Sequence, residues 1–116
     1  MRDLFLQASG VLGFAAAAIH GALGEVRIFP KVGFQPERVR PLLRLVWQSS
    51  TVGWMALAVL LAVAPSLGSE AARHWIVAMA AVNFGFAAIG NAWSNRLRHF
   101  GWALLAVVVG LAVAGW

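Results

Sequence analysis

Apolar positions along the chain fall into four runs, at about residues 4–24, 42–64, 74–93 and 100–116, and the segments between them hold nearly all the charge. The first run, LFLQASGVLGFAAAAIHGALG, has 21 residues. At about 1.5 Å of rise per residue it matches a hydrocarbon core of roughly 30 Å. Its small or polar residues Ser9, Gly13, Ala17, His20 and Gly24 recur at steps of three and four. They line one helix face, where small side chains let a neighbouring backbone approach closely. In the second run Arg44, Gln48, Thr51 and Met55 share a face, with Ser49 and Ser50 beside them. Gln48 lies deep enough that an unpaired amide would be costly, so it should face protein. In the third run Ala80, Asn83, Ala87, Asn91 and Ser94 form a small and polar stripe. The fourth is short and reaches the far interface only with little tilt. The pattern predicts an all-α integral membrane protein, one domain over residues 1–116, built as an antiparallel up-down bundle of four transmembrane helices.

The polar segments orient these spans. Residues 25–41 carry Arg27, Lys31, Arg38 and Arg40, with Arg44 just beyond, and residues 94–99 carry Arg96 and Arg98. The opposite side has only Arg2 and Arg73. The positive-inside bias therefore places both basic loops in the cytoplasm and both termini outside, as in a bacterial inner membrane. Trp47 and Trp93 should then lie near the inner interface, and Trp75 and Trp116 near the outer one. Proline at a first helical position costs no hydrogen bond, so Pro36 is expected to open a short interfacial helix and Pro41 to begin or bend the second span. Phe29 and Phe34 are expected to dip into the headgroup region. The stretch Pro65, Gly68, Ser69, Glu70 and Arg73 reads as the turn before the third span.

Composition strengthens the membrane reading. Hydrophobic residues make up 61% and charged residues 11%, against roughly 45–50% and about 25% in soluble domains. The formal charge of +5 does not indicate nucleic acid, because the basic residues lie between apolar runs and not over the surface of a soluble core. The expected partners are anionic lipid headgroups and either further copies of the chain or a larger membrane complex. The chain has no cysteine, which excludes disulfides and thiol chemistry of its own. Arg2 before an apolar run has the look of a signal peptide, but Asp3 cancels the charge and the run is long and rich in Gly and Ala, so it reads as a retained helix.

The halves share a pattern. Gly13-Phe14-Ala15-Ala16 with Ile19-His20-Gly21-Ala22 resembles Gly85-Phe86-Ala87-Ala88-Ile89-Gly90-Asn91-Ala92, and Gly53-Trp54-Met55-Ala56 resembles Gly101-Trp102-Ala103-Leu104. Such a duplication would be a parallel repeat of a two-helix hairpin about the membrane normal.

An up-down bundle gathers His20, Glu25, Arg44, Gln48, Ser49, Thr51, Asn91 and Asn95, with His99, at one level on the cytoplasmic side. Polar groups on facing membrane helices are candidate ligand-binding residues, or else bond the helices to one another. Asn83, near mid-membrane, is either a cross-helix bond or a pore-lining group. Gly13, Ala17, Gly24, Ala80 and Ala87 are the expected packing positions. His20 could carry a proton, ligate haem or pack; its spacing to Glu25 makes no metal-binding face. No nucleophile–base pair, phosphate loop or metal spacing is present, so no catalytic residue is assigned. Small multidrug transporters share the span number but carry a first-helix glutamate that this chain lacks. Fluoride channels carry asparagine and phenylalanine motifs that Asn83, Phe84 and Phe86 match only in residue type. Three readings follow: a non-catalytic helix-packing or accessory module, a small transporter or channel with its polar site in the cytoplasmic half, and a cofactor- or lipid-handling subunit that uses His20.

Overall fold

Long stretches rich in Ala and Leu, broken where Pro and charge collect, favour helices that satisfy their own backbone groups. A computed structural model describes every residue from Met1 to Trp116 and contains helices and no strands. The helices are α1 (Arg2–Leu23), α2 (Val39–Val63), α3 (Glu70–Ser94) and α4 (Gly101–Ala114).

Their ends depart from the expected ones for local reasons. A single π-helical turn, Gly24–Ile28, continues α1, so the first rod reaches well into the basic segment. No interfacial helix forms at Pro36; α2 begins directly at Val39. Pro41 falls in the first turn of α2, where a missing N–H breaks no intrahelical bond. Beyond α2, a 3-10 turn over Ala64–Leu67 is closed by Gly68 at φ +64°, a left-handed conformation that glycine adopts at little cost. Ser69 then caps α3, its hydroxyl accepting from the Ala72 N–H at 3.2 Å. Glu70 and Arg73, expected in the turn, therefore lie in the first turn of α3. The fourth helix has 14 residues against the 17 expected. Three helical stretches, Arg2–Ile28, Val39–Leu67 and Glu70–Ser94, are long and apolar enough to cross a membrane, and α4 is a shorter apolar helix.

Side-chain pairings set the register. Gly10 lies against Ala58 and Ala62, Gly21 against Thr51, and Gly24 against Trp47, so α1 and α2 run antiparallel. Ser9 donates to the Val108 carbonyl at 2.7 Å and Gly115 abuts Leu6, so α4 is also antiparallel to α1. Arg2 and Asp3 meet Glu70 and Arg73, which sets α3 parallel to α1. Consecutive helices thus alternate in direction. The central element is α1, which packs against both α2 and α4, and its expected stripe is the packed one: Ser9, Gly13, Ala17 and Gly24 are buried and His20 is half-buried. Phe84, Leu6, Leu61, Val77 and Val108 are the largest fully buried side chains.

The stripe on α3 is corrected. Its packed line is Val77, Ala80, Phe84 and Ala88, whereas Asn83 and Ser94 are exposed and Ala87 is half-buried. Each neighbouring position is turned by about 100° around a helix, so Phe84 in the core carries Asn83 outward. The aromatic expectations change too. Phe29 is buried, with ring centroids 5.9 Å from Phe34 and 6.1 Å from Trp47, and so packs within the protein. Trp47 faces α1 and is half-buried, while Trp75 and Trp93 are exposed. Nor do the matched halves occupy matched settings: a Cβ on Gly13 would touch Ala58 and Phe84, but one on Gly85 would meet nothing.

Candidate functional site

Seven of the eight residues expected in one polar cluster separate into two groups with different chemistry. The first joins α1 to α2. Arg44 Nε donates to Glu25 Oε1 at 3.0 Å, and Gln48 Nε2 donates to the same oxygen at 2.7 Å and to the Gly21 carbonyl at 3.2 Å. Gln48 thus faces protein, as its depth required. The Glu25 carboxylate has a cation on one side and an amide on the other. Thr51 is buried and donates to the Trp47 carbonyl at 3.2 Å, bonding its own helix backbone. Ser49 is exposed and belongs to neither group. The first group is a satisfied set of bonds holding two helices together.

The second group lies where α1 and α2 meet the end of α3 and the link to α4. His20 stacks on Trp47, with centroids 4.1 Å apart and planes 8° from parallel, and meets Trp54 at 4.5 Å. Trp47 Nε1 donates to the His20 carbonyl at 2.9 Å. The ring tautomer follows from the neighbouring bonds. Ser50 Oγ donates to the Trp47 carbonyl at 2.7 Å, so it has no hydrogen left to give. His20 Nε2, 3.2 Å from that oxygen, must be the donor. Haem ligation through Nε2 would break this bond. Across the site, His99 Nδ1 accepts from the Gly101 N–H at 3.1 Å, which leaves its Nε2–H to donate elsewhere. Between the histidines is Asn91, whose Oδ1 is buried without a hydrogen-bond partner.

These residues border a cavity of about 270 Å³ lined by His20, Arg27, Trp47, Asn91, Asn95 and His99, among others. A smaller void of about 50 Å³ adjoins it and adds Ala16, Ile19, Leu104 and Leu105 to the wall. Asn95 sits exposed at the rim, its amide donating to the Asn91 carbonyl at 3.1 Å. Past this level, toward the chain termini, Phe84, Leu61 and Val108 are fully buried.

The opposite end of the bundle holds a second charge network. Arg73, nearly buried, pairs with Asp3 and donates to the Gly115 carbonyl at 3.3 Å, while Arg2 pairs with Glu70 at 3.2 Å. His74 stacks on Trp116 at 4.7 Å. The ion-paired residues are 68 and 70 positions apart, so no spacing rule connects them; the available signal was that Asp3 and Arg73 begin helices on the same side. No protein-family model, curated protein or solved structure matches the chain.

Proposed function

We propose that the protein is a four-span integral membrane module without catalytic activity, and that it works by self-association through the outward face of α3. Both termini lie outside and the basic loops over residues 25–41 and 94–99 lie in the cytoplasm, where they meet anionic lipid. This is the orientation of a bacterial inner-membrane protein. The short α4 is accommodated by local thinning of the bilayer.

The observation that carries this reading is Asn83. It is exposed close to the midpoint of α3, surrounded by exposed Met79, Val82 and Phe86. A carboxamide facing hydrocarbon costs about 4–8 kcal/mol on a water-to-cyclohexane scale, so a span carrying it needs a partner there. The charge bias inserts every copy in one orientation, and a two-fold axis along the membrane normal then brings Asn83 of one copy to the depth of Asn83 of another. A carboxamide donates and accepts, so the pair is self-complementary. Solute passage, by contrast, would need a polar route past the fully buried Phe84, Leu61 and Val108.

Counting subunits by single-molecule photobleaching in lipid vesicles tests the proposal. Dimers are expected, with Asn83→Leu weakening association about tenfold and Asn83→Gln largely preserving it. Phe86→Cys should cross-link on oxidation in the membrane. A wild-type chain that stays monomeric at high protein-to-lipid ratio would rule the reading out.

A further inference from the structure

The cavity between α1, α2, the end of α3 and the link that follows it plays no part in the self-association face, and its unspent hydrogen-bonding groups form a specific set. Asn91 Oδ1 is buried and unpartnered. With Nε2–H committed to Ser50, a neutral His20 keeps Nδ1 as a free acceptor. His99, its Nδ1 committed to Gly101, keeps Nε2–H as a free donor. Arg27 lines the same cavity, forms no ion pair within the chain and is exposed at the mouth. No carboxylate lines the wall, since Glu25 is turned to Arg44 and Gln48. A cation and a ring N–H ask for an anionic oxygen, whereas two free acceptors ask for hydroxyl hydrogens.

We infer that this cavity binds a phosphate group carrying two neighbouring hydroxyls, of the glycerol-phosphate type, with the phosphate toward Arg27 and His99, one hydroxyl toward Asn91 and the other toward His20. Such a group reaches the site either as a lipid headgroup or as a soluble phosphate ester. The adjoining apolar void, walled by Ile19, Leu104 and Leu105, has room for the first atoms of a glycerol ester. The stacking of His20 between Trp47 and Trp54 holds the imidazole in place before the ligand arrives, which lowers the cost of ordering the site. It also sets two indoles beside the ligand as reporters.

The test uses the full chain in phosphatidylcholine nanodiscs and follows tryptophan fluorescence in two arms. One arm titrates soluble glycerol phosphate; the other replaces part of the phosphatidylcholine with phosphatidylglycerol. Saturable binding is expected in at least one arm, and the arm that responds identifies the source of the group. Arg27→Gln and Asn91→Leu should each weaken it about tenfold, while Arg38→Gln, in the same basic loop but outside the cavity, should leave it within about twofold. Arg27 is exposed and unpaired, so its variant reads binding even if Asn91→Leu fails to fold. Equal losses in Arg27→Gln and Arg38→Gln would overturn the proposal in favour of general attraction to the basic loop. Silence in both arms would overturn it outright. Because the cavity is remote from Asn83, Asn83→Leu should bind normally, which separates failure of this site from failure of self-association.

Discussion

Glycine 10 and glycine 85 show how differently one residue type can be used. A Cβ on Gly10 would lie 2.6 Å from the Ala58 carbonyl oxygen and 2.7 Å from the Ala62 backbone nitrogen, so even alanine forces backbone apart. Gly10→Ala should cost about 1–3 kcal/mol, read as a lowered unfolding midpoint in micelles. Gly85, with nothing near its Cβ position, should gain about 0.5–1 kcal/mol as alanine through helix propensity. The importance of Gly13 and Gly24 was legible in the sequence because they recur at helical spacing. The role of Gly10 against the α2 backbone was not, because Gly10 lies one position off that spacing. Gln48 was legible for a different reason: a buried amide must find partners, and depth alone said so. That its partner would be Glu25 depended on the π turn Gly24–Ile28, which carries the carboxylate past the end of α1.

At the scale of elements, α3 offers the clearest lesson. Hydrophobicity does not separate its two faces, because the exposed face carries Val82, Phe86 and Ile89 and is as apolar as the packed one, and a stripe of small and polar residues then stands in for the packed one. The stripe through Asn83 and Ala87 was the wrong choice by a single position. Phe84, fully buried and 5.8 Å from Trp54, marks the true line. Phe84→Ala should therefore destabilise the isolated protein by about 3–5 kcal/mol, whereas Asn83→Leu should leave its thermal stability as a monomer nearly unchanged and alter association alone. Parallel thermal melts and subunit counts of the two variants distinguish inner face from outer. For α4, by contrast, existence and direction were readable, and the helix begins one residue past the expected Phe100 but ends at Ala114, two residues before Trp116.

The whole molecule is tied at both ends by charge and filled between them by apolar side chains. Arg73 is only 11% exposed and Asp3 59%, so this pair is half a surface contact. Its loss in Arg73→Gln should loosen this end of the bundle, seen as faster hydrogen exchange at Arg2–Leu6 and around Gly115. A C-terminal fusion to alkaline phosphatase should be active in cells and a fusion to green fluorescent protein dark, as an external C-terminus requires; the opposite result would invert the topology. From the sequence alone came the helical class, the number of helices, their alternating direction and the side on which basic residues collect, because solvation of charge and of backbone dictates these without knowledge of neighbours. The tertiary structure alone decided which face of α3 turns inward, that Glu25, Arg44 and Gln48 satisfy one another, and that His20, Asn91 and His99 border a cavity with hydrogen bonds unspent. Those outcomes depend on helix rotation and register, which are set by side-chain contacts between residues far apart in the chain.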